Sequence, residues 1–80
     1  MSERLPRVSG REVVAALVWA GYRQRNVRGS HFYLIHPATA KLVVIPVHGN
    51  HSLPIGTLAS ILRQADLTPD ELGRFLRHER

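Results

Sequence analysis

Three runs of strand-forming residues, at positions 22–27, 31–36 and 41–47, follow one another in the middle of the chain with only short breaks between them. The breaks, Arg28-Gly29-Ser30 and Pro37-Ala38-Thr39-Ala40, are turn chemistry, and strands joined so closely pair antiparallel. The first run alternates polar and bulky residues, and the second is rich in aromatic and branched side chains. Leu42, Val43, Val44 and Ile45 carry the third until Pro46 marks a strand end or edge. A meander of this size has one face to bury, so the flanking segments must cover it.

Those segments carry helix signals. Ser9-Gly10-Arg11-Glu12 fits a capping box, in which a hydroxyl and a carboxylate satisfy the orphan amides of a helix start. Val13, Ala16, Leu17 and Ala20 then recur at helical spacing and Gly21 suits a left-handed stop, which predicts a helix over residues 10–20. A polar loop, His48-Gly49-Asn50-His51-Ser52, separates the last strand from a second stripe, Leu58, Ile61, Leu62 and Ala65, on a helix over residues 55–65. Thr68-Pro69-Asp70-Glu71 starts a short third helix, with Leu72, Phe75 and Leu76 as its apolar face. The order is helix, three antiparallel strands, helix, short helix: an α+β fold with its helices on one sheet face and the other face open. Eighty residues, 44% of them hydrophobic, make a single domain spanning residues 1–80. The period of two puts Phe32, Leu34 and His36 on one side of the middle strand and His31, Tyr33 and Ile35 on the other. We expect Phe32 and Leu34 inward and His31 outward.

Eleven Lys and Arg stand against six Asp and Glu, for a net charge of +5, and the pI is near 11.1. On so small a domain this favours an anionic partner, nucleic acid ahead of membrane. No apolar run approaches the roughly 20 residues of a spanning helix, and the first seven residues lack the apolar core of a signal peptide. A cytoplasmic location is expected. Cysteine is absent, which excludes disulfides and thiolate chemistry.

The charge is also unevenly placed. Residues 13–65 contain no Asp or Glu, while Arg23, Arg25, Arg28, Lys41 and Arg63 all fall there. A nuclease that gathers carboxylates around Mg²⁺ or Mn²⁺ is therefore not expected. His48 and His51 are three apart and His31 and His36 flank a strand, but zinc wants three or four ligands in a preformed cage, so no metal is assigned. No acid lies close in sequence to orient the base of a serine triad.

What remains is a histidine beside a glycine turn in basic surroundings. RNA cleaves when its 2′-hydroxyl attacks the adjacent phosphate. A protein assists by taking that proton, protonating the leaving 5′-oxygen and stabilising the phosphorane. Histidine suits the proton steps, with an ordinary pKa of about 6.5. Turn amides or a guanidinium suit the charge. Gly29 and Ser30 next to His31, with Arg28 or Arg25, offer these groups. On these residues alone the plainer reading, a hairpin turn with a strand-edge histidine, carries more weight. Plain readings also take precedence elsewhere: Trp19, Tyr22 and Tyr33 could stack on bases but are read as packing residues, Arg4 and Arg7 are read as solvated charges ahead of phosphate contacts, and Arg74, Arg77, His78 and Arg80 as a basic helix end.

A longer pattern changes the balance. Leu5-Pro6-Arg7-Val8-Ser9-Gly10-Arg11-Glu12-Val13, Gly21-Tyr22, Arg28-Gly29-Ser30-His31, Ile45-Pro46-Val47-His48-Gly49-Asn50 and residues 56–65 arrive in the order found in the HicA family of toxin ribonucleases, which the chain resembles over residues 5–76. The resemblance implies a fold similar to double-stranded-RNA-binding domains and a metal-independent mRNA endonuclease that uses no cofactor, with His31 as its catalytic histidine. It also implies a HicB-type antitoxin partner that covers the active site. His48 matches a histidine of the Pro-Val-His-Gly block, and is the candidate for a second proton step or for ordering its loop. Arg25, Arg28, Gly29, Ser30 and Lys41 are the supporting or RNA-binding candidates. Asp66 stands where a glycine commonly closes the second helix. The alternating residues after His31 are more apolar than in many relatives, which fits either a partner surface or a better core. The other functional readings are a non-catalytic RNA-binding module of the same fold, and a protein-interaction domain whose basic surface serves an acidic partner.

Overall fold

A computed structural model describes residues 5–79; the readings made for residues 1–4 and for Arg80 lie outside it. The elements follow in the expected order: α1 (Gly10–Trp19), β1 (Arg23–Arg28), β2 (His31–Ile35), β3 (Leu42–Pro46), α2 (Ile55–Ala65) and α3 (Pro69–Leu76). The strands form one antiparallel sheet, β1-β2-β3, with β2 in the centre. The architecture is α+β, with helices packed on one side of an open sheet.

Local chemistry explains the helix limits. The Glu12 amide donates to Ser9 Oγ at 3.2 Å and the Ser9 amide to Glu12 Oε1 at 2.9 Å, completing the capping box. Thr68 and Glu71 repeat it on α3. Each helix also ends alike, in paired reverse bonds around a left-handed residue. For α1 these run from Tyr22 N–H to the Leu17 carbonyl and from Gly21 N–H to the Val18 carbonyl, around Gly21 at φ 118°. Asp66 (φ 58°) does the same for α2 and His78 (φ 58°) for α3. Asp66 thus fills the expected glycine position without altering the fold, as a short polar side chain can.

The first strand begins one residue later than its sequence suggests. Tyr22 has its amide bound to the Leu17 carbonyl at 2.9 Å, so it belongs to the helix end and cannot join the ladder. Its ring is buried, with the hydroxyl donating to the Ala65 carbonyl at 3.4 Å. Burial raises the phenol above its ordinary pKa of 10.0, with Lys41 lowering it and Asp66 raising it further.

Cross-strand register sorts the sheet residues by face. Phe32 sits opposite Ile45, and Leu34 opposite Val43. Leu34, Val43 and Ile45 are fully buried beneath Val13 and Leu17 of α1 and Leu58 and Ile61 of α2, with Phe32 packed at the margin. His31 opposite Pro46, Tyr33 opposite Val44 and Ile35 opposite Leu42 occupy the uncovered face. Tyr33 and Ile35 therefore do nothing for the core. α3 lies against α1, where Trp19 stacks on His78 with ring centroids 5.2 Å apart and meets Phe75 at 6.3 Å. Trp19 is a rim-packing residue, as expected.

The site end of the sheet is fastened to the start of α1. Leu53 N–H donates to the Val8 carbonyl at 2.7 Å, and Ser9 pairs with Ser52 in an isolated bridge. Gly10 lies directly against the Pro46 backbone, where a Cβ would land on the carbonyl oxygen. The outer edge of β3 is covered by α2: the Val44 amide donates to Gln64 Oε1 at 3.2 Å, and Pro46 has no amide to leave unpaired.

Candidate active site

His31 is the first residue of the central strand, held by the tight turn Gly29-Ser30 between its cross-strand partner Arg28 and itself. Gly29 has φ +56° and Ser30 does not share a positive φ, the pattern of a hairpin turn that needs glycine at its first central position. The turn leaves the amides of Gly29 and Ser30 without a protein partner among the described residues. Its carbonyl side is anchored, since Val47 N–H donates to the Ser30 carbonyl at 2.7 Å. That bond extends the β2–β3 ladder one pair beyond Pro46. Continuing the alternation places His48 on the same side as His31, diagonally across the strands.

The imidazoles of His31 and His48 are exposed and engaged in no hydrogen bond or ion pair among the described residues. Arg25 and Arg28 are likewise exposed and unpaired. Every described acid lies elsewhere. Glu12 caps α1, Asp66 pairs with Lys41, Asp70 and Glu71 open α3, and Glu79 pairs with Arg77. The uncovered face therefore carries positive charge with no local compensation, while its neutral part is apolar.

The structure gathers Arg28, Gly29, Ser30, His31 and His48 at the turn end of the sheet, puts Arg25 beside Tyr33 nearer its middle, and sets Lys41 apart. Lys41 precedes β3 at the opposite end, five residues from Pro46, which is about 16 Å along a strand. Its Nζ lies 3.1 Å from Asp66 Oδ2. The carboxylate is well exposed and the lysine side chain partly so, and a solvent-screened pair of this kind adds little to stability. No group of three or more His, Cys, Asp or Glu side chains is arranged to hold a metal ion among the described residues.

Three residues outside the site candidates read from the sequence, Asn26, Tyr33 and Leu42, also belong to this face. Between Gln24 and Asn26 the register with β2 slips, so Arg25 is an extra residue and both it and Asn26 oppose Tyr33. Without that bulge Arg25 would turn toward the helix side. With it, Arg25, Asn26, Arg28, Tyr33 and Leu42 line a shallow depression of about 270 Å³. The strand Arg23-Gln24-Arg25-Asn26-Val27-Arg28 has no apolar period from which a bulge could be read.

A small α+β domain with an open, basic sheet face and a solvent-facing histidine at a glycine turn is the class these features define. The chain belongs to the HicA toxins of bacterial toxin–antitoxin systems, whose family pattern it matches over residues 10–67. It is thus the toxin component of such a system, and membership implies an antitoxin partner. No curated protein sequence matches the chain. No helix among the described residues is long and apolar enough to cross a membrane.

Proposed function

We propose that this toxin is a metal-independent endoribonuclease that cleaves mRNA in the cytoplasm, with His31 as its acid–base catalyst. The observation that carries the reading is the position of His31. It is an exposed, unengaged imidazole on the uncovered sheet face, cross-strand from the unpaired Arg28. In the proposed reaction the 2′-hydroxyl loses its proton and its oxygen attacks the neighbouring phosphorus. The P–O5′ bond breaks, and the departing 5′-oxygen takes up a proton. The products are a 2′,3′-cyclic phosphate and a 5′-hydroxyl. One imidazole cannot perform both proton transfers at once, and His48, diagonal to His31, is assigned the second. The Arg28 guanidinium and the unpartnered amides of Gly29 and Ser30 stabilise charge on the phosphorane. Arg25 holds the adjoining backbone, and Lys41 meets it only several nucleotides away. A HicB-type antitoxin inhibits by covering the same face.

Incubation of the purified toxin with single-stranded mRNA in EDTA tests this reading. Cleavage to fragments bearing 5′-hydroxyl ends is expected. Tight RNA binding with no cleavage would instead identify a non-catalytic RNA-binding module of the same fold, and capture of an acidic protein with no RNA binding would identify an interaction domain.

A further inference from the structure

We infer that the depression around Tyr33 is a base-binding subsite, which holds the nucleotide adjoining the phosphate at which His31 acts as acid–base catalyst. The inference rests on the ribonuclease reading and adds to it a residue that selects how the RNA strand lies. Tyr33 and His31 are two residues apart on the same face of β2, about 6.6 Å along the strand. That interval matches the step between adjacent phosphates in an extended single strand. The tyrosine ring lies outside the buried core and is partly exposed on the uncovered face.

Its surroundings suit a nucleotide in each part. The ring offers a stacking plate, which accepts any base because every base has a π-face. The bulge brings the Arg25 guanidinium to the same depression as Arg28, giving two unpaired cations for the flanking phosphates. Asn26 accepts the Val27 amide through Oδ1 at 2.9 Å, which fixes its carboxamide and leaves the NH₂ to donate to a base edge. No acid among the described residues lies on this face, so a second copy of the chain would bring like charges together there. A phosphate-bearing ligand is complementary.

The test compares Tyr33→Ala, Tyr33→Phe and Arg25→Gln. Cleavage of a single-stranded RNA is measured for each, and binding of the same RNA is measured at several salt concentrations with His31→Ala added to prevent cleavage. Tyr33→Ala is expected to weaken binding and raise KM about tenfold, with the salt dependence unchanged. Tyr33→Phe should retain wild-type behaviour. Arg25→Gln should weaken binding and reduce the salt slope by about one. If Tyr33→Ala binds and cleaves like the parent, the subsite is wrong and the ribonuclease reading stands. The subsite is also overturned if that variant loses affinity only for an acidic protein partner. A parent protein that neither binds nor cleaves RNA removes both.

Discussion

Replacing His31 with alanine is expected to slow RNA cleavage by about 10²–10⁴-fold, which is what a positioned acid or base contributes. In barrier terms this is about 3–5 kcal/mol. The fold should survive, because the imidazole is exposed and makes no hydrogen bond among the described residues. Its removal should shift stability by no more than about 0.5 kcal/mol. His48→Ala should also slow cleavage, by less, because water can replace a group in a mobile proton transfer more readily than it can replace the base held at the turn. If the two imidazoles act in one reaction, their losses will not add. The double variant should then be little slower than His31→Ala alone. Additive losses, or a His31→Ala protein that cleaves normally, would place the chemistry elsewhere.

Gly10→Ala is expected to produce the largest loss of stability from a single added methyl group. Helix propensity predicts the opposite sign, since alanine in a helix is favoured over glycine by up to about 1 kcal/mol. The surroundings decide against propensity. The new Cβ would fall on the Pro46 carbonyl oxygen, 3.0 Å from the Pro46 carbonyl carbon and 3.2 Å from Val47 Cα. All three atoms are backbone, so no side chain can rotate away. Either α1 must lift from β3 or the end of β3 must move. Overpacking of this kind costs about 1–3 kcal/mol or more. A domain of this size has only about 4–12 kcal/mol in total, and the melting temperature should drop by about 10–20 °C. Gly56→Ala in α2 is the matched control. Nothing lies within 4 Å of its added Cβ, so it should be neutral or stabilising by up to about 1 kcal/mol. Because Pro46 pairs with His31, Gly10→Ala should also impair cleavage in the fraction that remains folded. A Gly10→Ala protein melting at or above the parent would show that the contact yields without cost.

The helices were legible because their limits are set by neighbours in sequence. Ser9 with Glu12, Thr68 with Glu71, and the left-handed residues Gly21 and Asp66 act within one turn of each helix end. The outward direction of His31 was legible too, since the period of two ties it to the opposite side from Leu34. What depends on a distant partner was not. Tyr22 looks like a strand residue until its amide is seen bound to Leu17. The bulge at Arg25 exists only as a mismatch with β2, and it decides which arginines share a face with the histidine. Lys41 belongs to the same basic window as Arg25 and Arg28, yet strand direction carries it to the far end of the sheet. For Tyr33 packing was favoured over base stacking because a small sheet needs aromatics, but the uncovered face places it outside the core. The apolar character after His31 likewise had two explanations, and the position of Tyr33 and Ile35 leaves only a surface one.

The central claim is that His31 promotes attack by the RNA's own 2′-hydroxyl. It is tested most directly by placing a single 2′-deoxynucleotide on the 5′ side of the mapped cleavage site, and measuring the cleavage rate there in EDTA. With no 2′-hydroxyl to deprotonate, that bond should remain intact while the all-ribose RNA is cut. Cleavage of the deoxy-substituted bond at the ordinary rate would mean that an external nucleophile attacks the phosphate, and would contradict the mechanism assigned to His31.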